Sequence, residues 1–136
     1  MISRAAPVPP RPDLVRRPRG AFGWLDAALL HDGWLAEVGP HAVAVMVLLA
    51  IAADRRGASF YRRERMAIAL GMSRYEVDDA LQRLLDVGLV VMRPWRPGGC
   101  DGVWQLLPPS PRSDAPRAGT VLSAADVLRR LGFHGS

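Results

Sequence analysis

The chain has no lysine and a single cysteine, and its three histidines, His31, His41 and His134, stand apart from one another. One thiol, Cys100, excludes an intramolecular disulfide, and isolated histidines offer no metal-ligand spacing. The longest purely apolar run, Ala42 to Ala53, is 12 residues, well short of the roughly 20 that a membrane-spanning helix needs. Met1-Ile2-Ser3-Arg4 leads into prolines instead of an apolar stretch, so no secretory signal is expected and the expected setting is cytoplasmic. No Ser-His-Asp order, glycine-rich phosphate loop or pair of carboxylates stands out from the 13 scattered acids. No catalytic residue, cofactor or metal is therefore expected.

What is present is arginine. All 18 basic residues are arginine, as compatible with a GC-rich coding sequence as with a function. The net charge of +5 is unevenly placed. Residues 1–20 hold five arginines against Asp13, for +4; residues 21–107 hold nine against ten acids, for −1; residues 108–136 hold four against two, for +2. The ends are basic and the middle is nearly neutral.

Proline and glycine mark the divisions. Residues 1–20, rich in proline and arginine, have little to bury and are expected to form a disordered basic arm. Residues 21–107 are expected to form one domain, residues 108–120 a proline-rich linker, and residues 121–136 a short docking helix with Val127, Leu128 and Leu131 on one face. Too short to be stable alone in water, that helix needs either its own domain or a protein partner to dock on.

Within the middle segment, Phe22 to Val38 carries Trp24, Leu25, Leu29, Leu30, Trp34, Leu35 and Val38, predicting one or two short helices that dock on a core. Gly39-Pro40 then opens a helix, residues 41–54, without a polar face, which must be covered on all sides. That cover comes from residues 66–85 on one side and from Phe22 to Val38 or a second subunit on another. Ala58 to Tyr61 reads as a short edge strand.

The densest pattern lies in RERMAIALGMSRYEVDDALQRLLDVGLV, residues 63–90. Met66, Ala67, Ile68 and Leu70 lead to Gly71, which adopts a helix C-terminal conformation without a Cβ clash. Ser73 caps the next helix, where Val77, Ala80, Leu81, Leu84 and Leu85 recur at helical spacing. Gly88 stops it. Leu89 to Met92 and Val103 to Leu107 read as strands joined by a Pro- and Gly-rich loop.

The order L-G-M-S-R, a helix with A-L-x-x-L, then G-L-V resembles the winged helix-turn-helix of GntR-type regulators and of DnaD-like and phage or plasmid replication-initiation domains. The resemblance implies a mainly α fold with a small β-wing and, here, an N-terminal helical extension. It further implies a bacterial cytoplasmic protein, commonly a homodimer, that binds double-stranded DNA in transcription control or in replication initiation of a mobile element.

On that footing Ser73, Arg74 and Tyr75 are the base-contact candidates. Arg74 has the planar fork for guanine, with an i,i+4 pair to Asp78 as its alternative. Arg55, Arg56, Arg62, Arg63, Arg65, Arg93 and Arg96 are the phosphate candidates. If the five of the run Arg55 to Arg65 each neutralise one phosphate, log K falls against log salt with a slope of about −4.5. Asp78 and Asp79 oppose duplex contact unless they pair with Arg74 and Arg83. Trp95 and Trp104 are expected to cover the base of the sheet more than to stack on bases, and Cys100 to be an exposed, inert thiol. The alternative function is a protein-interaction adaptor that docks through the same domain and the C-terminal helix.

Overall fold

The structure, a computed structural model, describes residues 6–111. Residues 6–20 are exposed throughout and contain one 3-10 turn, Pro12–Leu14. The docking helix expected around Val127, Leu128 and Leu131 lies outside the described residues.

Five α-helices and one small antiparallel sheet follow, in the order α1 (Ala28–His31), α2 (Trp34–Val38), α3 (Pro40–Ala52), β1 (Ala58–Ser59), α4 (Arg63–Leu70), α5 (Arg74–Asp86), β2 (Val90–Pro94) and β3 (Gly102–Leu106). The molecule is mainly helical, and its sheet has the order β1-β3-β2 with both pairings antiparallel. No described helix is long and apolar enough to cross a membrane.

Local chemistry sets the α4–α5 junction. Gly71 sits at φ 64°, where an L side chain is strained. There the N–H of Met72 reaches the Ala67 carbonyl at 3.0 Å and closes the last turn of α4. Two residues on, Ser73 Oγ accepts from the Glu76 N–H at 3.1 Å, while Glu76 Oε1 accepts from the Ser73 N–H at 2.8 Å. This reciprocal pair satisfies two backbone donors that a helix start leaves open.

Helix α3 is the hub, packing on α2, α4, α5 and the sheet. Ala42, Val45, Met46 and Leu49 of α3 meet Val77, Ala80, Leu81 and Leu84 of α5, with Met66, Leu89, Val90 and Trp104 completing the core. Each of the valines, leucines and methionines among them contributes about 2 kcal/mol of burial. Leu29, Trp34 and Val38 bring α1 and α2 onto this core.

Several apolar residues fall outside it. Trp24, Leu25, Leu30 and Ile68, all grouped with core-facing sets by sequence, are exposed, Ile68 to 78%. The segment before α1 has no regular structure and four-residue α1 turns only Leu29 inward, while Ile68 lies on the side of α4 away from buried Met66. Within the single chain, α3 is covered by α2, α4, α5 and the sheet on part of its surface only. Val47 and Ile51, four residues apart, form an open stripe. The edge strand is shorter than expected, ending at Ser59, and Phe60 and Tyr61 are exposed.

Candidate nucleic-acid interface

Three elements converge at the N-terminal end of α5. Arg63, the first residue of α4, donates from its backbone N–H to Asp101 Oδ1 (3.0 Å), from Nε to the Cys100 carbonyl (2.9 Å) and from Nη1 to Asp78 Oδ1 (3.0 Å). Its guanidinium carbon lies 5.4 Å from the centre of the Trp104 ring, at cation–π distance. Arg63 thus joins α4, α5, β3 and the loop after β2. Asp101 supplies the N-terminal cap that Arg62, the N-cap residue, lacks.

The loop 95–101 is itself closed. Trp95 N–H donates to the Asp101 carbonyl at 3.2 Å, and Gly99 N–H donates to the Arg96 carbonyl at 2.9 Å. Arg62 stacks over Trp95 with its guanidinium carbon 5.6 Å from the ring centre. Arg74 donates from Nε to Asp78 Oδ1 at 3.1 Å and from Nη2 to Cys100 Sγ at 3.7 Å. Arg62, Arg63 and Arg74 therefore gather around the loop, and Tyr75, next to Arg74 in α5, is 79% exposed.

The sequence candidates divide accordingly. Ser73 is turned to capping and Arg74 to the Asp78 pair; Tyr75 is the freely presented side chain of the three. Arg63, with a side chain only 15% exposed, is held within the protein and positions the loop. Arg62, Arg93 and Arg96 are exposed on or beside the β2–β3 hairpin. Arg65 is exposed on α4, about 200° of helical turn from Arg63. Arg55 and Arg56 stand at the turn before β1, near the Gln105 end of β3, whereas the loop leaves from the Gly102 end. The run Arg55 to Arg65 is thus split between opposite ends of the sheet.

Asp78 and Asp79 are both neutralised, the latter by Arg83 at 2.9 Å. Trp104 is fully buried and Trp95 half-exposed. Sequence reading missed Asp101, and it assigned to a phosphate an Arg63 that the structure turns inward. A signal for the first existed in its place just before β3, but its partner is 38 residues away.

Partial burial pushes the Asp78 carboxyl up, but the bonds from Arg63 and Arg74 outweigh it and hold it below its ordinary value. Glu76 is held low by the Ser73 N–H, with His41 nearby at 3.2 Å. Groups lowered on folding stabilise the fold above their ordinary values, near 4.5 for Glu76 and 3.8 for Asp78, and that stability is lost as pH falls through the folded values. Urea midpoints should therefore decline as pH falls through and below this range, and Glu76→Gln should flatten the decline; a pH-independent midpoint there would contradict the assignment. At neutral pH, Ser73→Ala is expected to cost about 1 kcal/mol.

In comparisons with protein-family models, curated proteins and solved structures, none matched this chain.

Proposed function

We propose that the chain binds double-stranded DNA as a winged helix-turn-helix protein, with α4, the Gly71 turn and α5 as the helix-turn-helix and the β2–β3 hairpin as the wing. The observation carrying this reading is the surface at the α5 N-terminus, where Arg74 and Arg62 flank the Arg63-anchored loop and the neighbouring Tyr75 is exposed. Exposed arginines on one rigid face suit phosphates flanking a groove, and the start of a helix suits base edges. The resemblance adds transcription control or replication initiation as the setting.

Magnitudes decide whether Arg74 is available. Its pair with Asp78 is half-exposed and i,i+4, worth about 0.3–0.5 kcal/mol. A bidentate contact to guanine O6 and N7 is worth about 1–3 kcal/mol of discrimination. Asp78 keeps Arg63 when Arg74 leaves, so no carboxylate is stranded. Arg74 is thus free to turn to a base.

The test begins with duplexes selected from a random pool and measures anisotropy with the full chain. Arg74→Ala should lower discrimination at one base pair by about 5- to 150-fold while leaving the salt slope nearly unchanged. Undiminished discrimination would count against base contact. A second reading, a protein-interaction adaptor, is favoured by the near-neutral charge of residues 21–107, nine arginines against ten acids. It predicts no duplex affinity above that of the basic arm.

A further inference from the structure

At the other end of the sheet a cleft of about 380 Å³ opens between the segment before α1, the end of α3 and the chain leaving β3. Its lining includes Trp24, Leu29, Met46, Leu89, Leu106 and Pro108. One wall is set by Gly23. A Cβ there would collide with the Ala50 carbonyl oxygen and lie 2.7 Å from the Ile51 nitrogen, so only glycine lets this segment lie directly on the α3 backbone. Trp24 is left 72% exposed and Phe22 66% exposed at the rim, an unusual cost for aromatics in water.

We propose that the chain's own C-terminal segment, residues 121–136, occupies this cleft. The place where the described chain ends is the first argument. Leu107 N–H donates to the Leu89 carbonyl at 2.9 Å, and Pro108 and Pro109 line the cleft, so the chain leaves from its wall. Residues 112–136 follow, 25 in all, and carry Val127, Leu128, Leu131 and Phe133.

The tether makes docking favourable. Fifteen residues lie between Pro111 and Val127, a chain length that spans at most roughly 55 Å, from a start already at the cleft. Short linkers of this kind present a segment at effective concentrations in the millimolar range. Weak intrinsic affinity is then sufficient. Charge does not oppose it, because Asp26 and Asp54 balance Arg55 and Arg56 in the cleft lining, while Asp126, Arg129 and Arg130 lie in the segment. The inference stands apart from the DNA reading, since the cleft lies at the Gln105 end of the sheet and the candidate interface at the Gly102 end.

Disulfide capture in the full chain tests it. In a Cys100→Ser background, Trp24→Cys is combined with Phe133→Cys, and Tyr75→Cys with Phe133→Cys serves as the reference pair. Trp24 and Tyr75 are both largely exposed, so neither substitution touches the core. The 24–133 pair should close within the monomer at least about tenfold faster than the 75–133 pair. Adding Leu128→Asp and Leu131→Asp should bring its rate down to the reference. Equal rates for the two pairs, an unchanged rate with the aspartates, or capture only between two copies would each overturn the proposal.

Discussion

Trp104→Ala is expected to lower stability by about 3–5 kcal/mol, a large share of the roughly 5–15 kcal/mol that holds a small domain folded. Trp104 is fully buried on the central strand, opposite Ser59 on β1 and Met92 on β2. Its ring also lies under the Arg63 guanidinium. Truncation leaves a cavity where the sheet meets the helices and removes the surface on which Arg63 rests. Urea unfolding followed by far-UV circular dichroism measures the loss. Trp104→Phe is the informative companion. The indole N–H meets no acceptor among the described residues, so phenylalanine removes an unsatisfied donor and is expected to cost less than half as much. A cost below about 1 kcal/mol for alanine would contradict the core assignment.

Arg63→Ala carries the second large effect, about 2–3 kcal/mol, from two charge-assisted hydrogen bonds and a partly desolvated cation–π contact. Its distinctive signature is local. Once the guanidinium is gone, the Cys100 carbonyl and Asp78 lose their bridge, so amide exchange in residues 95–101 should rise more than global unfolding explains. Arg63→Lys keeps the charge but not the planar fork that reaches Cys100 and Asp78 together, and should recover less than half of the loss. Full recovery by lysine would mean that charge alone, without bridging geometry, holds the loop.

These two residues also mark what the sequence makes legible. The turn at Gly71 and the Ser73 cap rest on contacts within a few residues, and helical periodicity in α5 identifies its buried face without tertiary knowledge. The hairpin is readable from two β-rich runs separated by proline and glycine. Arg63 is not readable, because a charged residue at a helix start defaults to solvent and its partners Asp78, Cys100 and Asp101 are 15 to 38 residues away. Nor is the division of the basic run. Arg55, Arg56 and Arg62 are close in sequence, but β1 intervenes and pairing with β3 carries them to opposite ends of the sheet. The exposed faces of α3 and α4 elude periodicity for another reason. A helix apolar all round, such as α3, has no pattern to say which stripe is open, so Val47 and Ile51 look no different from Val45 and Leu49.

The most direct test of DNA binding at the α5 and hairpin surface is the salt dependence of duplex affinity in the full chain, compared with an Arg62→Gln, Arg93→Gln, Arg96→Gln variant. The basic arm and every other arginine are common to both proteins, so their contribution cancels in the difference. Three phosphate contacts predict a slope of log K against log salt steeper by about 2.7 in the unsubstituted chain. Equal slopes would contradict the account, because the three arginines would then face no phosphate.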